Sequence, residues 1–221
     1  MFIGHHAVGF AAKRFAPRAS LGALMAAPLL ADLLWPVFLL VGREHVRLVP
    51  GLMKFSPFDL YDFPYSHSLL MLVVWATLFA LGYYLRTRYR AGAIAIWLGV
   101  VSHWPLDWIT HRPDMPLYPG SARYGLGLWN SIPGTVVIEA ALFAVGLWLY
   151  VRTTRPADAI GRYAFWAFAA LLALAYAGNA LAPQSVPPSV TALAVFSLVM
   201  GLLQVPWAWW FDRHRRISAT D

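Results

Sequence analysis

The sequence predicts an all-α, polytopic membrane helix bundle: six full transmembrane helices plus a short N-terminal half-helix. Three observations carry that expectation. Of 221 residues, 60% are hydrophobic and only 12% charged, about half the charged share of an ordinary soluble domain. The apolar residues gather into runs of about 18 to 23, the length that crosses a bilayer as a helix. The basic residues stand in small groups between those runs, the pattern that orients membrane helices.

Residues 1–15 are moderately apolar, with His5 and His6 near the start and Lys13-Arg14 near the end. Fifteen helical residues reach about 22 Å, short of a hydrocarbon core of about 30 Å. This predicts a half-length helix broken at Pro17. Charge after the apolar part reverses the order of a signal peptide, so the segment is expected to be retained. The first full span is residues 19–41, apolar except for Asp32 and kinked by Pro28 and Pro36. A polar connection, 42–66, leads to the second span, 67–85. Arg86, Arg88 and Arg90 form a tight basic turn before the third span, 91–111.

A loop rich in Pro and Gly, 112–133, precedes the fourth span, 134–151, which carries Glu139. Arg152, Arg155 and Arg162 mark another basic turn. The fifth span is 163–182, and the sixth, 190–211, ends in the Trp207, Trp209 and Trp210 cluster expected of an interfacial belt. We read residues 1–221 as a single membrane-embedded domain. Twelve basic residues fall on one side of these spans and five on the other. The positive-inside rule then sets the C-terminus in the cytoplasm. The same scattering argues against a nucleic-acid partner despite a net charge of +7. The chain has no Cys, which excludes thiolate metal sites and leaves His, Asp and Glu as ligands.

The most informative stretch is Ser102-His103-Trp104-Pro105-Leu106-Asp107-Trp108-Ile109-Thr110-His111. His103, Asp107 and His111 stand at i, i+4 and i+8, within about an 80° arc of one helix face. An intramembrane Asp costs about 3 kcal/mol on insertion scales, so such a stripe must pair, meet water or hold a cation. The topology brings Asp32, His67, Glu139 and, through the half-helix, His5 to the same outer half of the bilayer. Imidazole and carboxylate suit zinc or a similar divalent ion. Plainer readings stand beside this one. His103 and Asp107 could be a hydrogen-bonded staple, Ser66 a helix N-cap, and Glu139 a buried acceptor. His6, turned about 100° from His5, reads as a bystander, and His45 and His214 as surface residues.

Gly4-His5, Asp32 after a Leu-rich run and before Pro36, Ser66-His67-Ser68-Leu69-Leu70 and Ser102-His103-x-x-x-Asp107 occur in this order. Together they resemble the bacterial membrane-bound metal-dependent hydrolases, small polytopic inner-membrane proteins, and more distantly the helical zinc-dependent phospholipase C proteins. The likeness covers residues 1–119 and fades through the fourth span. It implies His5, Asp32, His67, His103 and Asp107 as residues of a site for one or two ions. The chain departs from the pattern at Ala31-Asp32-Leu33-Leu34-Trp35, where many members read Pro-Asp-x-Asp-His. It departs again at 62–67, where many read His-Arg-Gly-x-Thr-His. His111, Asp114 and Asp62 are the available substitutes.

The expected activity is hydrolysis of an ester or phosphoester near the outer leaflet, a membrane lipid being the simplest substrate at that depth. Glu139 or Asp62 would activate water, and Arg112 or Arg123 would hold a phosphate. Two alternatives use the same residues: a transporter or metal-ion permease, and a structural bundle with a polar staple.

Overall fold

The computed structural model describes residues 1–218, and the fold is built around its shortest expected element. Helix α1 (Ile3–Phe15) lies inside the bundle, with His5, His6, Phe10 and Lys13 all buried. Phe10 is fully enclosed, with the rings of Phe143, Tyr150, Phe165 and Phe168 centred 5.4–6.2 Å away. A half-length helix survives here because others wrap it and bury its apolar face.

The most apolar long helices are α5 (Leu69–Thr87), α7 (Ile132–Thr153), α8 (Ala159–Leu181) and α9 (Val190–Arg213). These four are long and apolar enough to cross a membrane, and most of the surface of each lies outside the protein's own core. Their starts are set locally. Ser68, Ser131, Asp158 and Ser189 accept from the backbone N–H groups of Met71, Gly134, Gly161 and Ala192, which satisfies first-turn donors. Helix α6 (Arg90–Thr110) is as long but carries His103 and Asp107. It packs on α5 through Leu72, Ala76, Ile96 and Val100.

Close approach of α1 to α7 depends on Gly146. A Cβ there would lie 2.5 Å from the Ala7 carbonyl oxygen and 2.7 Å from the Ala7 Cα. Small residues at such crossings let two backbones meet.

Three expectations need correction. The first expected span is not one helix: α2 (Leu21–Ala26) and α3 (Leu30–Leu40) are joined by a turn. Pro28, which has no N–H to give and crowds the preceding turn, sits at the break. The second span does not begin at His67. His67 closes a one-turn helix, α4 (Pro64–His67), and extended Ser68 separates it from α5. The protein is also not purely α. Three two-stranded antiparallel ladders tie the loops: β1 (His45–Leu48) with β2 (Phe58–Asp62), β3 (Met115–Pro116) with β4 (Arg123–Tyr124), and β5 (Thr154–Pro156) with β6 (Arg215–Ile217). The first two pairs lie at one end of the helices and the third at the other.

Candidate metal centre

Each break in the helices delivers a ligand. On α6 the stripe holds as the spacing requires, with His103 and Asp107 buried and His111 buried just beyond the helix end. The turn at Pro28 leaves its carbonyl free of the helix ladder, and His103 Nδ1–H donates to it at 2.8 Å. Asp32 then follows in the first turn of α3. The short helix α4 carries His67, and the first turns of α1 carry His5.

Six residues converge. Asp107 lies 3.0 Å from His5 Nε2 through Oδ1. Its Oδ2 lies 3.0 Å from His103 Nε2, 3.5 Å from His111 Nε2 and 3.9 Å from His67 Nε2. Asp32 Oδ1 stands 3.6 Å from His67 Nε2 and 3.9 Å from His103 Nε2. Two overlapping trios, His5–His103–Asp107 and Asp32–His67–His103, each place their donor atoms within 4.8 Å of one another. His5 and His103 stack face to face, ring centres 3.9 Å apart and 3° from parallel.

The far sides of the rings decide what the near sides carry. His103 Nδ1–H is committed to Pro28. His111 Nδ1–H donates to Asp114 Oδ1 at 3.0 Å. Ser66 gives its one hydroxyl proton to Glu44 Oε2 at 2.6 Å and so accepts from His67 Nδ1–H at 2.7 Å. In the neutral rings Nε2 is therefore a lone pair, and three such lone pairs face carboxylate oxygens. Acceptor facing acceptor in a buried site is unfavourable unless a proton or a metal cation lies between them. Protonating every ring would not resolve it, because stacked imidazoliums at 3.9 Å repel strongly away from water. His103 Nε2, fully buried, finds no hydrogen-bond partner among the described residues. Inward Nε2 with Nδ1 fixed by a carboxylate, carbonyl or hydroxyl is the outer-sphere arrangement that orients metal-binding histidines. The residues present thus fit a divalent cation.

The other expected site residues lie elsewhere. Glu139 Oε2 accepts from the Phe2 and Gly4 N–H groups at 2.8 and 3.2 Å. It caps α1, where a carboxylate suits the helix dipole, and fixes the turn that carries His5. Asp62 pairs with His45 at 2.7 Å on the β1–β2 hairpin. Arg112 is held by Asp59 and Asp114. Arg123 is exposed on β4 and shares with Asp62 a separate hollow of about 250 Å³. His6 is buried against Gln204 and the Phe2 carbonyl. Ser66 is a partner of His67, while Ser68 caps the long helix.

Two further groups hold the ligands from behind. Glu44, buried in the connection after α3, accepts from Ser66 Oγ and from the Tyr65 and Ser66 N–H groups. Asp114 locks His111. Its signal was available in the local spacing, whereas Glu44 is 22 positions from Ser66.

A chamber of about 430 Å³ adjoins the centre and has Asp32, His67, Asp107 and His111 in its wall. The Asp32 side chain is 45% exposed, against 3% for Asp107.

No curated protein and no solved structure matches the chain. A family model described as the YdjM inner membrane protein matches residues 1–186. With its four long apolar helices, the chain is a multi-pass protein of the bacterial inner membrane and belongs to the YdjM inner membrane protein family.

Proposed function

We propose that this protein is a metal-dependent hydrolase of an ester or phosphoester, working in the outer half of the inner membrane. The observation that carries the reading is the set of Nδ1-anchored imidazoles turned with their lone pairs toward Asp107 and Asp32. His5, Asp32, His67, His103, Asp107 and His111 would hold one or two ions, zinc or a similar divalent cation. When bound, such a cation supplies Lewis acidity, polarising a carbonyl or phosphoryl oxygen and acidifying water.

The chain's own groups supply the rest. Asp32, half-exposed in the chamber wall, is the carboxylate a substrate meets first. Asp114 Oδ1 holds His111 Nδ1–H, so His111 Nε2 is an oriented ligand, and the second oxygen of the half-exposed Asp32 is left to accept a proton from attacking water. Glu139 and Asp62 drop out of that role, since one caps α1 and the other is paired on the surface.

The same reading includes six passes with a cytoplasmic C-terminus, the first pass being the broken α2–α3 unit and α6 the third. The Arg-rich turns support that orientation, and broken helices at membrane depth are tolerated where protein buries them. Hydrolysis is favoured over transport because Phe10, Phe143, Phe165 and Phe168 fill the bundle between the centre and the opposite end, where a permeation path would need polar groups. Two measurements on detergent-purified protein test the proposal. Elemental analysis should find one or two divalent ions per chain, lost in His103→Ala. A chromogenic ester or phosphodiester should turn over in a chelator-sensitive way. Ions without turnover on any ester or phosphoester class would point to transport, and no ions at all to a structural staple.

A further inference from the structure

The chamber beside the centre has two unlike walls. The inner wall is the His/Asp cluster. The outer wall belongs to α8 and α9, through Leu171, Ala175 and Asn179 on one and Phe196, Ser197 and Met200 on the other. These helices hold each other at the ends near Arg215, where Phe168 meets Phe211 and Trp207 with ring centres 5.5 and 5.4 Å apart. Toward the other end both helices line the chamber, together with Phe55, Pro57 and Phe58 of the connection after α3. Leu171, Ala175 and Phe196 are exposed there. Both helices are long and apolar enough to cross a membrane, so in a bilayer the side of the chamber they form faces hydrocarbon. The lining is mostly apolar, and the volume lies in the range of ligand-binding cavities. Near the cluster the wall changes character: the indole N–H groups of Trp35 and Trp129 are buried there with no partner among the described residues.

We propose that this chamber is a lipid-tail site: one acyl chain of a membrane phospholipid enters between α8 and α9 and presents its ester or phosphoester end to the His/Asp centre. The assignment rests on the hydrolase reading and names its substrate class. A soluble ester would need a path through the outer loops, whereas a chain already in the bilayer reaches the chamber laterally. An apolar tail would displace only weakly held water from such a wall.

The test uses the full-length protein in phosphatidylethanolamine–phosphatidylglycerol vesicles, doped with a phosphatidylethanolamine carrying a diazirine at one chain terminus. Photolabelling should concentrate on peptides containing residues 171–179 and 196–204. Ala175→Trp and Ser197→Trp, which fill the gap from opposite walls at positions facing no core, should each lower that labelling about fivefold or more, the effect of an overpacking clash of at least 1 kcal/mol. Equal labelling of α5 and α7, or labelling unchanged in both variants, would mean ordinary surrounding lipid and overturn the assignment. Elemental analysis of the same samples separates the two ideas. Bound ions with uniform labelling retire the tail site alone, and focused labelling without ions retires the hydrolase reading while the lipid site stands.

Discussion

The two ends of α1 are both buried and both charged, yet they are built on opposite rules. At the C-terminal end, Lys13 Nζ donates to Asp212 Oδ2 at 2.7 Å and to the Ala19 carbonyl at 2.8 Å. Asp212 also accepts the Leu21 N–H and the Tyr150 hydroxyl, each at 2.9 Å. Donors meet acceptors and the charges cancel. At the N-terminal end the Met1 ammonium donates to Asp107 Oδ1 and Thr110 Oγ1, while His67, His103 and His111 turn lone pairs toward Asp107 Oδ2 and Asp32. Burial and charge alone do not separate scaffold from site. The count of donors against acceptors does, because a closed network asks for nothing and an open one asks for a cation.

The sharpest way to break this comparison is Asp107→Ala. Four imidazoles share that carboxylate, so its loss should lower metal affinity by more than about 100-fold, beyond the range of changes to supporting residues. The helical content by circular dichroism should persist. If the ion content of the variant equals that of the native chain, the open network is held by protons and the centre is not a metal site.

The closed end should respond in the other currency, stability. Lys13→Met leaves Asp212 buried without its cation, which costs about 3–5 kcal/mol. Thermal denaturation in detergent should show a large drop, while the ions bound per folded chain stay as they were. A variant that keeps its melting temperature but loses metal would mean that the two ends are not the separate systems drawn here.

Gly146 offers a test that touches neither network. Gly146→Ala drives a Cβ into the Ala7 backbone, and overpacking of that kind costs about 1–3 kcal/mol. Since Ala7 lies two residues from His5, the displaced helix should also bind metal more weakly with all six ligands intact. Stability loss with unchanged affinity would show that Glu139, capping α1 at the Phe2 and Gly4 N–H groups, holds His5 in place without help from the crossing.

How much of this was readable beforehand follows from the range of each interaction. The His103–Asp107–His111 stripe was legible because helical spacing is local and α6 keeps it. The long apolar runs fixed α7, α8 and α9 to within a few residues for the same reason. Pro28 was visible as a kink, but its freed carbonyl finds a partner 75 positions away, and no local pattern announces that. The extended Ser68 that detaches His67 from α5 gave no sign beyond a run of small polar residues. Lys13 read as one more orienting charge, since its partner Asp212 is 199 positions distant. Arg112 read as a free phosphate clamp because Asp59, which holds it, is 53 positions away.

The smallest effects are expected from the groups behind the ligands, and they sharpen the comparison most finely. Asp114→Asn keeps an acceptor near His111 Nδ1 but removes the charge. Ser66→Ala removes the hydroxyl between His67 and Glu44, so that ring is free to change tautomer. Each should weaken metal binding about 10- to 100-fold, read by competition with a chromogenic chelator, with melting of the metal-free protein nearly unchanged for Asp114→Asn. The two variants differ in what they leave behind. Ser66→Ala abandons one oxygen of a buried Glu44 carboxylate, so its metal-free form should melt earlier, while the two backbone N–H bonds to Glu44 survive. If both variants lowered stability and left affinity untouched, the anchored Nδ1 atoms would belong with Lys13 and Asp212 as scaffold. The inward lone pairs would then need another explanation.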